Sequence, residues 1–146
     1  MPSPAHARGR IGALDLGEVR TGIAISDPAG VVARPLKVVP SEDLTEALRQ
    51  LVGEEGISEV LVGVPKTLGG EVGLQAHKVL DRLDALKKEL PDVRFVEWDE
   101  RLTTRLAVTA AQTRGGKRRA GRVDHLAAAW MLQEYLASRG ASEAPR

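Results

Sequence analysis

The apolar residues over the first forty positions fall in three short runs separated by turn-forming residues. "RIGALDL" and "TGIAIS" read as strands, with "VVARPLKVV" as a third. The links "GEVR" and "DPAG" are short, and Asp-Pro and Gly are strong turn formers. Strands joined this closely pair antiparallel, so the pattern predicts a meander. In the second strand Ile23 and Ile25 alternate with small residues, which suits a partly covered sheet.

The period then changes. In "SEDLTEALRQLVGEEG" the residues Leu44, Ala47, Leu48 and Leu51 line one helix face; Ser41 is the expected N-cap and Gly53 the expected stop. "EVLVGVP" is a continuous apolar run, the signature of a strand buried on both faces. "KTLGGEVG" reads as a loop. "LQAHKVLDRLDALKKEL" is a second amphipathic helix, aligned on Val79, Leu83, Leu86 and Leu90 and ended by Pro91. "VRFVEW" is a fifth strand, and "TTRLAVTAAQ" a third helix with Thr103 as a possible cap. "TRGGKRRAGR" is a loop, and "VDHLAAAWMLQEYLA" a last helix. The order β-β-β-α-β-α-β-α-α predicts an α/β domain. Its mixed five-stranded sheet has an antiparallel meander of the first three strands, the fourth and fifth parallel, and helices on both faces. In such sheets sites gather at the carboxyl ends of the parallel strands.

Composition narrows this little. The 146 residues suit one domain: a tail over 1–9, a folded unit over 10–138 and a second tail over 139–146. There is no cysteine, which excludes disulfides and thiolate metal sites. Nothing resembles a signal peptide or a membrane span, so the expected location is the cytoplasm. Aromatics make up 3% of the chain, which argues against stacking platforms for single-stranded bases. The net charge of +1 implies no partner by itself, but the charge is unevenly placed.

Carboxylates cluster at element ends. Asp15 stands alone in the apolar first strand, directly before a glycine turn, and a lone acid there is expensive to desolvate. Asp99 and Glu100 fall just past the fifth strand, and Asp124 opens the last helix. Each has a structural alternative: Asp15 accepting turn N–H groups, Asp99 and Asp124 capping helices, Glu100 pairing with Arg101. Brought together, the acids repel and require a cation, and oxygen-only ligands select Mg²⁺ or Mn²⁺. Two such ions, about 3.5–4 Å apart, are a recurrent device for phosphodiester hydrolysis. His6, His77 and His125 show no metal-ligand spacing. In "TRGGKRRAGR" the residues Arg114, Lys117, Arg118, Arg119 and Arg122 occur without an acid, directly ahead of Asp124. Such a run either neutralises phosphates or is a solvated loop, and its adjacency to Asp124 favours phosphates.

"DLGEVRTGIAISD", "VGVPKTLGG", "LQAHKV", "DERLTT" and "VDHLAAAWMLQEYL" together resemble the YqgF (RuvX) family, from about Arg10 to about Leu136. These are Holliday junction resolvase-like, pre-16S rRNA nucleases. The resemblance implies an RNase H-like fold, a cytoplasmic hydrolase and a metal-dependent endonuclease acting on structured nucleic acid. It places the family's acids on Asp15, on Asp99 and Glu100, and on Asp124. Asp15, Glu100 and Asp124 are the expected ligands of one or two Mg²⁺ or Mn²⁺ ions, and Arg20, Lys66 and Arg101 join the basic run as expected nucleic-acid contacts. The sequence departs from the family's usual pattern in the strand-four motif, where Val64 and Lys66-Thr67 stand, and no acid follows the end of that strand before Glu71. Other readings are a resolvase-like DNA nuclease, a non-catalytic nucleic-acid-binding module, and half of a sugar-kinase or actin-like ATPase. The chain is expected as a monomer or homodimer, with a dimer required for a symmetric four-way junction.

Overall fold

A computed structural model of the chain describes residues 9–65, 73–100 and 120–143; in the last stretch side chains are described for 126–139. Its elements are β1 (Arg10–Leu16), β2 (Arg20–Ser26), β3 (Ala33–Pro40), α1 (Leu44–Glu55), β4 (Ile57–Val64), α2 (Leu74–Glu89), β5 (Arg94–Asp99) and α3 (Ala120–Glu143). The strands form one sheet in the order β3-β2-β1-β4-β5. β1 pairs antiparallel with β2, and β2 with β3, whereas β4 runs parallel to both β1 and β5. The expected meander and the two parallel strands are both present.

Period-two alternation sorts the strand residues between two cores. Leu14, Leu16, Ile23, Ile25, Val60, Val62 and Val64 pack against Leu44, Leu48 and Leu51 of α1 and against Val79, Leu83 and Leu86 of α2. On the opposite face Ile11, Ala13, Ala24 and Leu61 meet Ala128, Ala129, Met131, Leu132 and Leu136 of α3. Alanines on both sides of this second interface, Ala13 and Ala24 on the sheet and Ala128 and Ala129 on the helix, are interleaved with larger residues. Helices therefore cover both faces, and the unbroken apolar run of β4 is explained by burial on both.

Turns fix the ends of the strands. After β2, Asp27 Oδ1 accepts the N–H groups of Val31 at 2.7 Å and Val32 at 2.9 Å. These backbone donors hold the Asp27 carboxyl below the usual aspartate range. Gln133 of α3 reaches the same loop: its Oε1 accepts the Ala33 N–H at 2.9 Å, and its amide donates to the Val31 carbonyl at 3.0 Å.

Several boundaries differ from the sequence expectation. Ser41 does not cap a helix. It opens a single 3₁₀ turn, Ser41–Asp43, and its buried hydroxyl turns inward. Gly53 does not stop α1, because a lone glycine inside a well-packed helix is tolerated. The helix runs on to Glu55 and closes at Gly56, whose φ of 69° is the left-handed conformation glycine adopts readily. Asp99 is the last residue of β5 rather than a residue beyond it. The last helix starts at Ala120, so Arg122 is helical rather than in a loop, and it continues to Glu143 through part of the expected C-terminal tail. The helix expected over residues 103–112 lies outside the described residues.

Candidate functional site

The parallel strands β1, β4 and β5 present their carboxyl ends side by side. Asp15 is the penultimate residue of β1 and stands opposite Gly22 of β2. It follows Ile11 and Ala13 in the row that faces α3, and it is partly exposed where that row reaches the strand end. On β4 the same row runs from Leu61 to Gly63, and on β5 from Val96 to Trp98.

Glu100, immediately after β5, folds back along this row. A Cβ placed on Gly63 would stand 2.6 Å from Glu100 Oε2 and 3.1 Å from its Cγ, and 2.8 Å from Met131 Sδ of α3. The Glu100 carboxylate thus lies over β4, the strand next to that of Asp15, on the face both share. Asp99 has the opposite parity. It pairs with Val64, whose side chain belongs to the core under α1 and α2. The alternation of β5 thereby separates the two adjacent acids, and it puts Glu100, the one expected as a ligand, on the Asp15 face.

Asp124 lies in the first turns of α3, four residues ahead of the buried Ala128 that packs on the sheet; its side chain lies outside the described set. Arg20 opens β2 and is exposed, in the row of Gly22 and Ala24, so it rims the Asp15 face. Lys66, Arg101, Arg114, Lys117, Arg118 and Arg119 lie outside the described residues, as does the side chain of Arg122. Among the described residues no group of three or more Asp, Glu, His or Cys side chains is assembled that would hold a metal ion by itself.

Two supporting networks were not anticipated from sequence. The first braces the turn after Asp15. Ser41 Oγ donates to the Gly17 carbonyl at 2.6 Å and lies 2.9 Å from Thr21 Oγ1. A serine has a single hydroxyl hydrogen, so Thr21 donates to Ser41. The Ser41 N–H donates to the Val19 carbonyl at 2.8 Å, and Arg82 Nη2 of α2 donates to the Ser41 carbonyl at 2.8 Å. The second network anchors α3. Tyr135 donates its hydroxyl hydrogen to the buried Glu59 of β4, and Arg139 Nη1 is 3.5 Å from the other carboxylate oxygen. Trp98 meets Tyr135 edge-on at 5.8 Å, and the Arg139 guanidinium sits 5.5 Å from the Tyr135 ring centre. The missed Gly63 did carry a signal: a glycine inside an apolar strand marks a close approach.

A five-stranded mixed sheet with helices on both faces, and acids at the carboxyl ends of β1 and β5, defines an α/β domain of the RNase H-like fold. Thermus thermophilus RuvC in complex with a Holliday junction substrate superposes with a TM-score of 0.58 at 15% identity, covering 95% of this chain and 100% of that one. The Thermus thermophilus RuvC structure gives 0.57 at 17% identity, over 90% and 96%. The family model described as "RuvX: Holliday junction resolvase" matches residues 9–138, and the chain belongs to this family, also known as YqgF. A Rubrobacter xylanophilus protein curated as "Putative pre-16S rRNA nuclease" is 62% identical over 130 residues, spanning 88% of this chain and 92% of its own. One of the same name from Desulforudis audaxviator is 41% identical over 138 residues, spanning 89% and 95%.

Proposed function

We propose that this protein is a divalent-metal-dependent endonuclease that matures the 5′ end of pre-16S rRNA. The observation that carries the proposal is the Glu100 carboxylate lying over Gly63, beside the strand of Asp15 and on the same face. The strong likeness to relatives bearing the nuclease name supports the substrate class.

Asp15, Glu100 and Asp124 would hold one or two Mg²⁺ or Mn²⁺ ions, a hard-oxygen donor set suited to both. When bound, such ions activate a water and stabilise the leaving oxygen of a phosphodiester. The chain's own residues orient this chemistry. The rigid carboxyl ends of β1 and β5 fix where Asp15 and Glu100 enter the site, and Arg20 at the rim offers a positive charge to a phosphate. Lys66, Arg101 and the basic stretch from Arg114 to Arg122 would extend that track. Cleavage of branched DNA is the second reading, favoured by the description of the matching family. It would require two sites in a homodimer, whereas rRNA trimming needs only a monomer. A role in ribosome maturation would put the protein in the cytoplasm; among the described residues no helix is long and apolar enough to cross a membrane.

The test is a cleavage panel of single-stranded RNA, duplex RNA, four-way junctions and pre-16S rRNA, each with Mg²⁺, Mn²⁺ or chelator. Metal-dependent cleavage of the pre-rRNA, absent from Asp15→Asn, is expected. No cleavage of any substrate above the Asp15→Asn background would overturn the proposal.

A further inference from the structure

We infer that Gly63 is a positioning residue for Glu100: the missing side chain on β4 is the space in which the candidate ligand carboxylate is held. The inference rests on the metal-site reading above and names what sets the place of its second carboxylate.

Gly63 lies in the interior of β4, in a run where Val60, Leu61, Val62 and Val64 are all at most 1% exposed. A glycine weakens such a strand, since it adds backbone entropy to the unfolded chain and leaves a gap in the core. The gap is filled from two sides. Glu100 reaches in from the end of β5 and Met131 from α3, each closer to the vacant Cβ position than a methyl group allows. Neither intruding atom is backbone. Both belong to unbranched side chains rather than to the strand's own neighbours, so an added methyl displaces the carboxylate and the thioether before it displaces the strand. On the β5 side of the row Trp98 pairs beside Gly63 and packs edge-on against Tyr135. Glycine at 63 therefore directs Glu100 toward the β1 side, where Asp15 lies.

The test is a double-mutant cycle of Gly63→Ala and Glu100→Ala, read by Mn²⁺ calorimetry and by denaturant unfolding without metal. Gly63→Ala should remain folded with a native circular dichroism spectrum. It should weaken Mn²⁺ binding at least tenfold in the wild-type background and not at all in the Glu100→Ala background. The fall in its metal-free unfolding midpoint should shrink when Glu100 is truncated, and the part that persists is the share carried by Met131. Equal weakening in both backgrounds, or unchanged Mn²⁺ affinity in Gly63→Ala, would overturn the positioning role. Failure of the wild type to bind Mn²⁺, with the unfolding cycle still coupled, would overturn the metal reading and leave the contact itself confirmed. A protein unfolded by Gly63→Ala would show that the strand, not the carboxylate, yields to the methyl, and would also overturn the inference.

Discussion

Ser41 donates its hydroxyl hydrogen to the carbonyl of Gly17 at 2.6 Å, so the first residue after β3 holds the turn that follows β1. Both Ser41 and Thr21 are buried, and neither hydroxyl can be released to water. Ser41→Ala should destabilise the fold by about 1–3 kcal/mol, the usual range when a buried polar group loses its partner. Thr21→Val alone should do the same on a smaller scale, since it leaves Ser41 with its bond to Gly17. The double variant should lose less than the sum, because it removes both partners of one bond. Denaturant midpoints measure all three. Faster amide exchange for the Ser41 N–H, which donates to Val19, would report the turn opening locally.

Asp15 itself carries the second prediction. Asp15→Asn should abolish cleavage and change the metal-free melting temperature little, since it removes one charge from a repelling group. In the wild type, ions that bind only the folded site raise the melting temperature with RT ln(1 + [L]/Kd). Millimolar Mn²⁺ should give a modest rise and Mg²⁺ a smaller one, and Asp124→Asn should lose both. An active Asp15→Asn, or an equal rise in wild type and Asp124→Asn, would place the ions elsewhere.

The contrast between Asp15 and Asp27 shows what sequence could and could not supply. Both acids precede a glycine-containing turn. The "DPAG" pattern identified Asp27 correctly as a turn residue, and its carboxylate accepts two N–H groups of its own loop. The turn after Asp15 is braced by Ser41 instead, a residue 24 positions from Gly17, and no local pattern reveals a partner so distant. The same limit explains the misplaced cap: Ser41 has the right residue type for a helix start, but two long-range hydroxyl bonds compete for it. Fold class was legible because period-two and period-3.6 patterns are local and strong. The order β3-β2-β1-β4-β5 required tertiary pairing, and so did the finding that Glu100 rather than Asp99 shares the Asp15 face.

Tyr135 and Glu59 give a prediction far from the acids. Burial first, and then the hydrogen bond to Glu59, push the Tyr135 hydroxyl up to about 12. The folded protein therefore holds this proton above the unfolded value of about 10. The resulting stability is complete below about pH 10 and is lost as pH rises toward about 12. Tyr135→Phe should lower stability by about 1–2 kcal/mol at neutral pH, because it removes one of the two partners that the buried Glu59 carboxylate has among the described residues. Its melting temperature should also fall less steeply than that of the wild type between pH 10 and 12. Parallel curves would show that the hydrogen bond contributes nothing to the linkage.

The basic stretch ahead of α3 supplies the last prediction. If Lys117, Arg118 and Arg119 contact phosphates, replacing all three with Ala should weaken binding to every nucleic acid alike, since phosphate contacts carry affinity without sequence information. Each lost contact releases fewer counterions. The slope of log K against log salt should fall by about 0.7 per contact on single strands or about 0.9 on duplex, so roughly two to three in total. Cleavage at saturating substrate should fall less than affinity, because Asp15, Glu100 and Asp124 are untouched. Arg122 offers an internal comparison. It belongs to α3, and its removal alone should flatten the slope by the amount of a single contact. Binding titrations at several salt concentrations, for wild type, the triple variant and Arg122→Ala, measure these slopes. Unchanged slope and affinity in the triple variant would move the phosphate track to Arg20, Lys66 and Arg101, and single Ala substitutions there would then carry the loss.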